Sequence, residues 1–471
     1  MEFHRHTIAA IATPTGRGGI GIIKISGQDA IRVLEKVFIP GKKTSGTFRF
    51  DRKCKDYPFR SLHYGRICHP ETGDEIDEVL ISLMRAPRSY TGEDVVEINA
   101  HGGPQVLAEI LELILSNGIQ EAKPGEFTFR AFLNGKIDLT KAEAICDLIN
   151  AKSQMASKVA ARQLQGEIQH QVNTIRDAIL TMLADLEARI EFQDDVEPDD
   201  LPAMDMETVK TQMIRPIQTL IARHDQFRSV IQGATVVIAG KSNVGKSSLL
   251  NALSCTERAI VTQIPGTTRD TIEVEMEIEG VPITLIDTAG LQETQDPVEA
   301  IGIERARKKI ETSDLILWVI DISKPLEDED LKGYEATKGK RCVLVGNKAD
   351  LLTDPEPNRK ICIEGKYPVR VSARYHKGME ALKIKIREIL IGEASSSIPG
   401  LGAVPNRRHR RALNISCEYL KKVQEGLRRS IPSELISYDL KAAKDALEEI
   451  TGANLPEAVY DKIFSQFCVG K

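Results

Sequence analysis

The sequence contains no Cys-x-x-Cys pair, no apolar run of membrane-spanning length and no large excess of either charge. Its eight cysteines are scattered, which argues against a zinc site and a disulfide framework and points to a reducing compartment, the cytoplasm. A bilayer crossing needs roughly 20 apolar residues, and the first residues lack the pattern of a secretory leader, so no membrane association is expected. A net charge of −5 with 28% charged residues is that of an ordinary soluble protein, and any nucleic-acid contact would have to be local. At 471 residues the chain is too long for one core, so two or three domains are expected.

What is present is a phosphate loop. The apolar run Thr235-Val-Val-Ile-Ala239 reads as a buried strand, Ser248-Leu-Leu-Asn-Ala-Leu253 as a helix, and between them lies Gly240-Lys-Ser-Asn243-Val244-Gly245-Lys246-Ser247. Such a loop aims backbone N–H groups and a helix N-terminus at an anion. Lys246 would reach the β- and γ-phosphates, and the Ser247 hydroxyl would ligate Mg²⁺. Downstream, the strand-like Arg341-Cys-Val-Leu-Val345 runs into Gly346-Asn347-Lys348-Ala349-Asp350. The Asp350 carboxylate can accept from the ring N–H and exocyclic amine of guanine. Adenine offers no such pair, and sites of this kind discriminate strongly. Asn347 can clamp neighbouring loops, and the Lys348 stem can cover the base plane. Pro368-Val-Arg-Val371 ends in Ser372-Ala373-Arg374, where a backbone N–H could meet the guanine carbonyl. Each four-residue motif alone is weak, but their order after a phosphate loop is a strong signal for GTP.

Between these motifs lie the segments that would sense the γ-phosphate. Asp287-Thr288-Ala289-Gly290 follows the strand Ile283-Thr-Leu-Ile286, and Gly266-Thr267-Thr268-Arg269-Asp270 offers Thr268 as a second hydroxyl for Mg²⁺. Leu315-Ile-Leu-Trp-Val-Ile320 reads as the central buried strand of a parallel sheet, with Trp318 a core residue. The residue after Gly290 is Leu291. A glutamine at that place orients the attacking water in Ras-like enzymes, and leucine cannot. The nearby carboxylates are Glu293, Asp296 and Glu299.

The rest of the chain divides by pattern. Residues 7–120 alternate strand-like and helix-like runs, an α+β domain in which Gly16-Arg-Gly-Gly19 is a turn rather than a second phosphate loop. From Asp138 long helical patterns take over, with Thr140-Lys-Ala-Glu143 read as a capping box and residues 152–192 apolar at spacings of three and four. Helical patterns resume at about 206–231 and, after a small-residue linker, from Arg407 onward. Arg407-Arg-His-Arg-Arg411 is the densest basic cluster, either a solvated helix start or a nucleic-acid phosphate contact.

Taken together the chain resembles the bacterial and organellar tRNA-modification GTPases of the MnmE (TrmE) family. The resemblance runs over essentially the whole length. It is carried by Ala12-Thr-Pro-Thr-Gly-Arg-Gly-Gly-Ile-Gly21, Tyr90-Thr-Gly-Glu-Asp-Val-Val-Glu97, His101-Gly-Gly-Pro104, Lys123-Pro-Gly-Glu-Phe127, Arg130-Ala-Phe-Leu-Asn134, the GTPase motifs and the end Phe467-Cys-Val-Gly-Lys471. It implies an α/β and α architecture: an N-terminal folate-binding-like α+β domain that dimerises (1–120), a helical domain in two parts (121–232 and 393–471), and an inserted Ras-like GTPase domain (233–392).

It further implies a GTP site made of Asn243, Val244, Gly245, Lys246, Ser247 and Ser248, of Thr262, Gln263, Ile264, Pro265, Gly266, Thr267 and Thr268, and of the motifs at 287–290, 347–350 and 372–374. By the same resemblance a K⁺ ion would stand in for an arginine finger, held by Asn243, Thr262, Ile264 and Thr267, and Glu299 would orient water. The bland alternative is that Glu299 only opens a helix. A one-carbon tetrahydrofolate, 5-formyl or 5,10-methylene, would lie on Lys24, Glu97, Lys136 and Lys471, with Cys468 beside it. The implied partners are a second copy, the FAD-binding MnmG (GidA) protein in a heterotetramer, and tRNA, whose wobble uridine would gain an aminomethyl or carboxymethylaminomethyl group. Lys24 and Gln292 depart from the arginines associated with family members at those places. A competing class, a ribosome-assembly switch, shares the GTPase motifs but not the N-terminal block or the Cys-x-Gly-Lys end.

Overall fold

The computed structural model describes residues 6–41, 58, 60–191, 206–255, 273–287, 311–352, 361–392, 402–453 and 455–471. Among them the chain forms two compact units, Met1–Cys146 with Glu448–Lys471, and Asp147–Leu447.

The first unit is built on a seven-stranded sheet. Its strands are β1 (Ile8–Ile11), β2 (Ile20–Ser26), β3 (Phe38–Pro40), β4 (Leu62–Cys68), β5 (Glu75–Met84), β6 (Val95–His101) and β7 (Gln120–Glu121), in the order β3-β4-β5-β6-β2-β1-β7. Alternation decides the faces. Ile23, Ile25, Ile81, Leu83, Val96 and Ile98 point to the side covered by α1 (Ala30–Val37) and α2 (Pro104–Leu115). Those helices contribute Val33, Leu34, Leu107, Ile110 and Ile114 at helical spacing. On the opposite face α3 (Glu126–Leu133) packs Phe127 on Ile8 and Ala10. Farther along that face Leu62, Tyr64 and Leu80 stay exposed. The last helix, Glu457–Phe464, stacks its rings against α3, with Phe129 and Phe464 centroids 4.9 Å apart.

Helix α4 (Leu139–Ile149) starts earlier than the sequence reading placed it. The cap is Asp138, not Thr140: its carboxylate accepts the Lys141 N–H at 2.9 Å, and Thr140 Oγ1 itself donates to it. A charged carboxylate is the stronger acceptor for free N–H groups at a helix start.

The second unit holds a six-stranded sheet, order β13-β12-β11-β8-β10-β9. β8 (Ala234–Ala239), β10 (Val281–Asp287), β11 (Leu315–Asp321), β12 (Cys342–Asn347) and β13 (Val369–Arg370) pair in parallel, and β9 (Glu273–Ile278) is the antiparallel edge. β8 and β11 lie at the centre, which is why they read as continuous apolar runs. The same core continues into helices on either side of this sheet in the chain. Of these, α5 (Gln154–Leu164) adds Met155, Ala156 and Val159; α6 (Glu167–Glu191) follows it across Gly166 and buries Ile168, Val172, Ile175, Ile179, Leu183 and Leu186 at spacings of three and four. A short turn of helix, α7 (Met206–Thr208), leads through a π-helical stretch, Val209–Ile214, into α8 (Arg215–Gln232). Nothing in the residue spacing had pointed to that π segment. α8 is tied to other segments by His224 Nδ1, which donates to Pro405 O at 2.6 Å, and by Gln226 Nε2 to Ile391 O at 3.3 Å.

Candidate functional site

Because the strands of the second unit run in parallel, their carboxyl ends fall along one edge, where such sheets place ligand sites. β8 leads into the 240–245 loop and α9 (Lys246–Cys255). β10 ends on Asp287, β11 on Asp321, β12 on Asn347, and β13 leads to Ser372 and Ala373. Gly240, at φ +146°, lies so close to β11 that a Cβ would sit 2.3 Å from Val319 O. Only glycine fits that approach. A Cβ at Gly245 would meet Asn347 Nδ2 at 2.4 Å.

Polar side chains at the start of α9 hold the loop in place. Lys246 Nζ donates to Gly240 O at 2.9 Å and Lys241 O at 2.7 Å. Burial lowers its pKa, with Asp287 acting in the opposite direction. Ser247 Oγ donates to Asp287 Oδ2 at 2.8 Å, so a hydroxyl and a carboxylate already meet where a hard cation would find oxygen ligands. Asn243 carries a left-handed φ of +61°.

At the other end of the edge Asn347, 3% exposed, clamps two loops. Its Nδ2 donates to Val244 O at 2.9 Å, and its Oδ1 accepts the Ala373 N–H at 3.1 Å. Ser372 Oγ donates to Asp350 Oδ1. The phosphate loop, Asp287, the 347–350 motif and the 372–374 segment thus converge. Thr262, Gln263, Ile264, Pro265, Gly266, Thr267, Thr268, Thr288, Ala289, Gly290, Leu291, Gln292 and Glu299 lie outside the described residues, and so do the carboxylates Glu293 and Asp296.

A second constellation lies in the first unit. Lys24 and Glu97 face each other across β2 and β6, with Nζ and Oε1 3.9 Å apart. The Lys24 side chain is 12% exposed. Its ammonium stands 5.6 Å from the Tyr90 ring centroid and 5.5 Å from that of Phe127. Burial pushes its pKa down; Glu97 opposes this and Lys471 adds to it, so the end of the chain also reaches this place. The Gly125 N–H donates to Cys468 O at 3.4 Å, and Cys468 is exposed. Lys136 Nζ donates instead to Pro87 O at 2.9 Å.

Three residues here escaped the sequence reading. Tyr90 and Phe127 belong to the Tyr90–Glu97 and Lys123–Phe127 stretches, whose resemblance to the family implies no role for either. Arg130, 1% exposed, bonds Glu126 at 2.8 Å, Glu93 at 3.2 Å and His6 O at 2.9 Å, which fixes the Tyr90–Glu93 loop against α3. An arginine inside an apolar helical pattern was the available signal.

Comparison with known proteins decides the family. Residues 7–136 match the family model for the GTP-binding protein TrmE N-terminus, and residues 139–468 that for the MnmE helical domain. The chain is 43% identical over 471 residues to the tRNA modification GTPase MnmE of Carboxydothermus hydrogenoformans, covering 99% of each chain. The chain belongs to the MnmE family. The MnmE of Desulforamulus reducens is 41% identical, again over 99% of each chain. The G domain of the FeoB iron transporter of T. maritima overlies 33% of this chain and 98% of its own at 29% identity, with a TM-score of 0.27. As an MnmE-family member the chain is a GTP hydrolase. Among the described residues no helix is long and apolar enough to cross a membrane.

Proposed function

We propose that this chain is a K⁺-stimulated GTPase acting in the cytoplasm with an FAD-dependent partner, MnmG. Together they add an aminomethyl or carboxymethylaminomethyl group to the wobble uridine of certain tRNAs, drawing the carbon from a one-carbon tetrahydrofolate. The convergence of the phosphate loop, Asp287 and the Asn347–Asp350 segment on one sheet edge carries the GTPase half of this reading. Asp350 accepts from the guanine ring N–H and amine, the Ala373 segment faces the guanine carbonyl, and Lys246 with the loop N–H groups holds the phosphates. Ser247, with Thr268, would hold Mg²⁺, which supplies charge neutralisation at the β- and γ-phosphates when bound. Asn243, Thr262, Ile264 and Thr267 would hold K⁺, and Glu299 would orient water.

The folate half rests on Lys24, Glu97 and Lys471 gathering on one sheet face. Glu97 can accept from the amino and ring N–H groups of a pterin, while Lys24, Lys136 and Lys471 can pair with glutamyl carboxylates. Formation of a homodimer through the first unit is supported by that face too. Strand register aligns Leu62, Ser82, Glu97 and Lys24 in one row and Tyr64, Leu80, Asn99 and Ile22 in the next, so exposed apolar side chains adjoin the folate row. The domains of this reading are 1–120, 121–232, 233–392 and 393–471.

Two titrations test it. The full chain should bind 5-formyl-tetrahydrofolate, and Glu97→Gln should weaken that binding by about tenfold or more, the scale of a lost charge-assisted hydrogen bond. Asp350→Asn should weaken GTP and admit xanthine nucleotides. No folate binding by the unmutated protein would sink the one-carbon role, and equal affinity for ATP and GTP would sink the base assignment.

A further inference from the structure

Asp321 ends the buried strand β11 at a place where a carboxylate is costly: its side chain is 12% exposed. Its two oxygens are divided between two jobs. Oδ1 accepts from the Ser323 backbone N–H at 3.0 Å and from the Ser323 hydroxyl. Oδ2 accepts from Lys348 Nζ at 2.6 Å. Burial raises the carboxyl pKa, but the hydrogen bonds from Lys348 and Ser323 outweigh it and leave the group below its ordinary range. Lys348 itself sits at φ +65°, a left-handed backbone that a lysine rarely adopts.

The surroundings over-determine that conformation. Asn347 before it is bonded to both flanking loops. After it, Ala349 N–H donates to Val371 O at 3.1 Å and Leu351 N–H to Lys348 O at 3.0 Å. Strand register puts Asp321 directly opposite Asn347. The Lys348 side chain is therefore pinned at both ends, by the strained backbone at one and by Asp321 at the other.

We propose that Asp321 is a positioning residue for the nucleotide base: it anchors the Lys348 ammonium so that the aliphatic stem is a preformed cover for one face of the purine. This rests on the reading above in which Lys348 covers the base and Asp350 reads its edge. A stem ordered before the nucleotide arrives does not lose its rotamer freedom on binding, so pre-organisation appears directly as affinity. The contact is with the ring face, which all purines share. Asp321 therefore acts on affinity and leaves base selection to Asp350.

The test uses the full-length chain and four variants, with GTP affinity, steady-state turnover and thermal unfolding measured for each. Asp321→Asn keeps the shape and the Ser323 contacts but removes the charge. It should raise the Kd and KM for GTP by about tenfold, the size of one lost charge-assisted contact. Turnover at saturating GTP should stay within about twofold and the preference for GTP over ATP should persist, a split that general loosening of the domain would not produce. Lys348→Ala should weaken GTP at least as much, and Asp321→Asn combined with Lys348→Ala should be no worse than Lys348→Ala alone. Should Asp321→Asn fail to fold, Lys348→Met supplies the same comparison, because it keeps an apolar stem but loses the anchor; it should also bind GTP about tenfold more weakly. Additive losses in the double variant would overturn the proposal, as would wild-type affinity in Asp321→Asn or in Lys348→Met. Wild-type affinity in Lys348→Ala would instead overturn the underlying assignment of Lys348 to the base.

Discussion

Asn347→Ala is the substitution whose consequence the geometry fixes most closely. The amide is buried and ties two loops together: Nδ2 donates to Val244 O at 2.9 Å and, at 3.5 Å, to Gly245 O, while Oδ1 accepts the Ala373 N–H at 3.1 Å. Val244 and Ala373 are themselves 4% and 6% exposed, so water does not readily replace the lost partner. An orphaned buried polar group costs about 1–3 kcal/mol. With the carbonyl the milder of the two, the pair comes to about 2–4 kcal/mol. Both loops border the sheet edge to which the proposed function assigns the nucleotide, so on that reading most of this should emerge as GTP affinity. At about 1.4 kcal/mol per decade the Kd should rise roughly 30- to 1,000-fold, read with a fluorescent GTP analogue. Amide hydrogen exchange at Ala373 reports the clamp directly and should accelerate. Asn347→Asp separates the two bonds, since it keeps the acceptor for Ala373 but turns an oxygen toward Val244 O: affinity should fall while Ala373 stays protected. Unchanged exchange at Ala373 in Asn347→Ala, with affinity within about threefold, would refute the clamp.

Gly240→Ala should abolish GTP binding and cost about 2–4 kcal/mol of stability through a left-handed backbone and an overlap with Val319 O; a wild-type melting curve with intact binding would contradict this. For Lys24, the folded chain lowers the pKa, so the charged form is disfavoured below the folded pKa and the penalty fades as pH rises through it toward 10.5. Lys24→Met should therefore raise the thermal midpoint of the first unit by a few degrees at pH 7, with less gain in alkali, while losing folate; a lowered midpoint at pH 7 would show that Lys24 stabilises the fold. Glu299→Ala should reduce turnover by about 10²-fold or more, and replacing K⁺ with Na⁺ should slow the unmutated enzyme with little effect on nucleotide binding. Normal turnover of Glu299→Ala in K⁺ would make Glu299 structural and turn attention to Glu293.

The GTPase motifs are legible in sequence because each is local: a strand, a turn and a few residues whose chemistry requires that spacing. The central strands are legible because a parallel strand covered on both faces must be apolar along its length, as residues 315–320 of β11 are, with Asp321 only at its end. Three things needed the tertiary structure. The first is the pairing of Lys24 with Glu97, which lie 73 positions apart and meet only through the register of β2 against β6. The second is the burial of Arg130, whose partners Glu93 and His6 come from separate segments. The third is the anchoring of Lys348 by Asp321 across neighbouring strands. Periodicity specifies which face a residue takes, and motif spacing specifies which ligand a loop can hold. Which charged groups end up within hydrogen-bond reach depends on strand order and register, and these are set by long-range packing that no local pattern encodes.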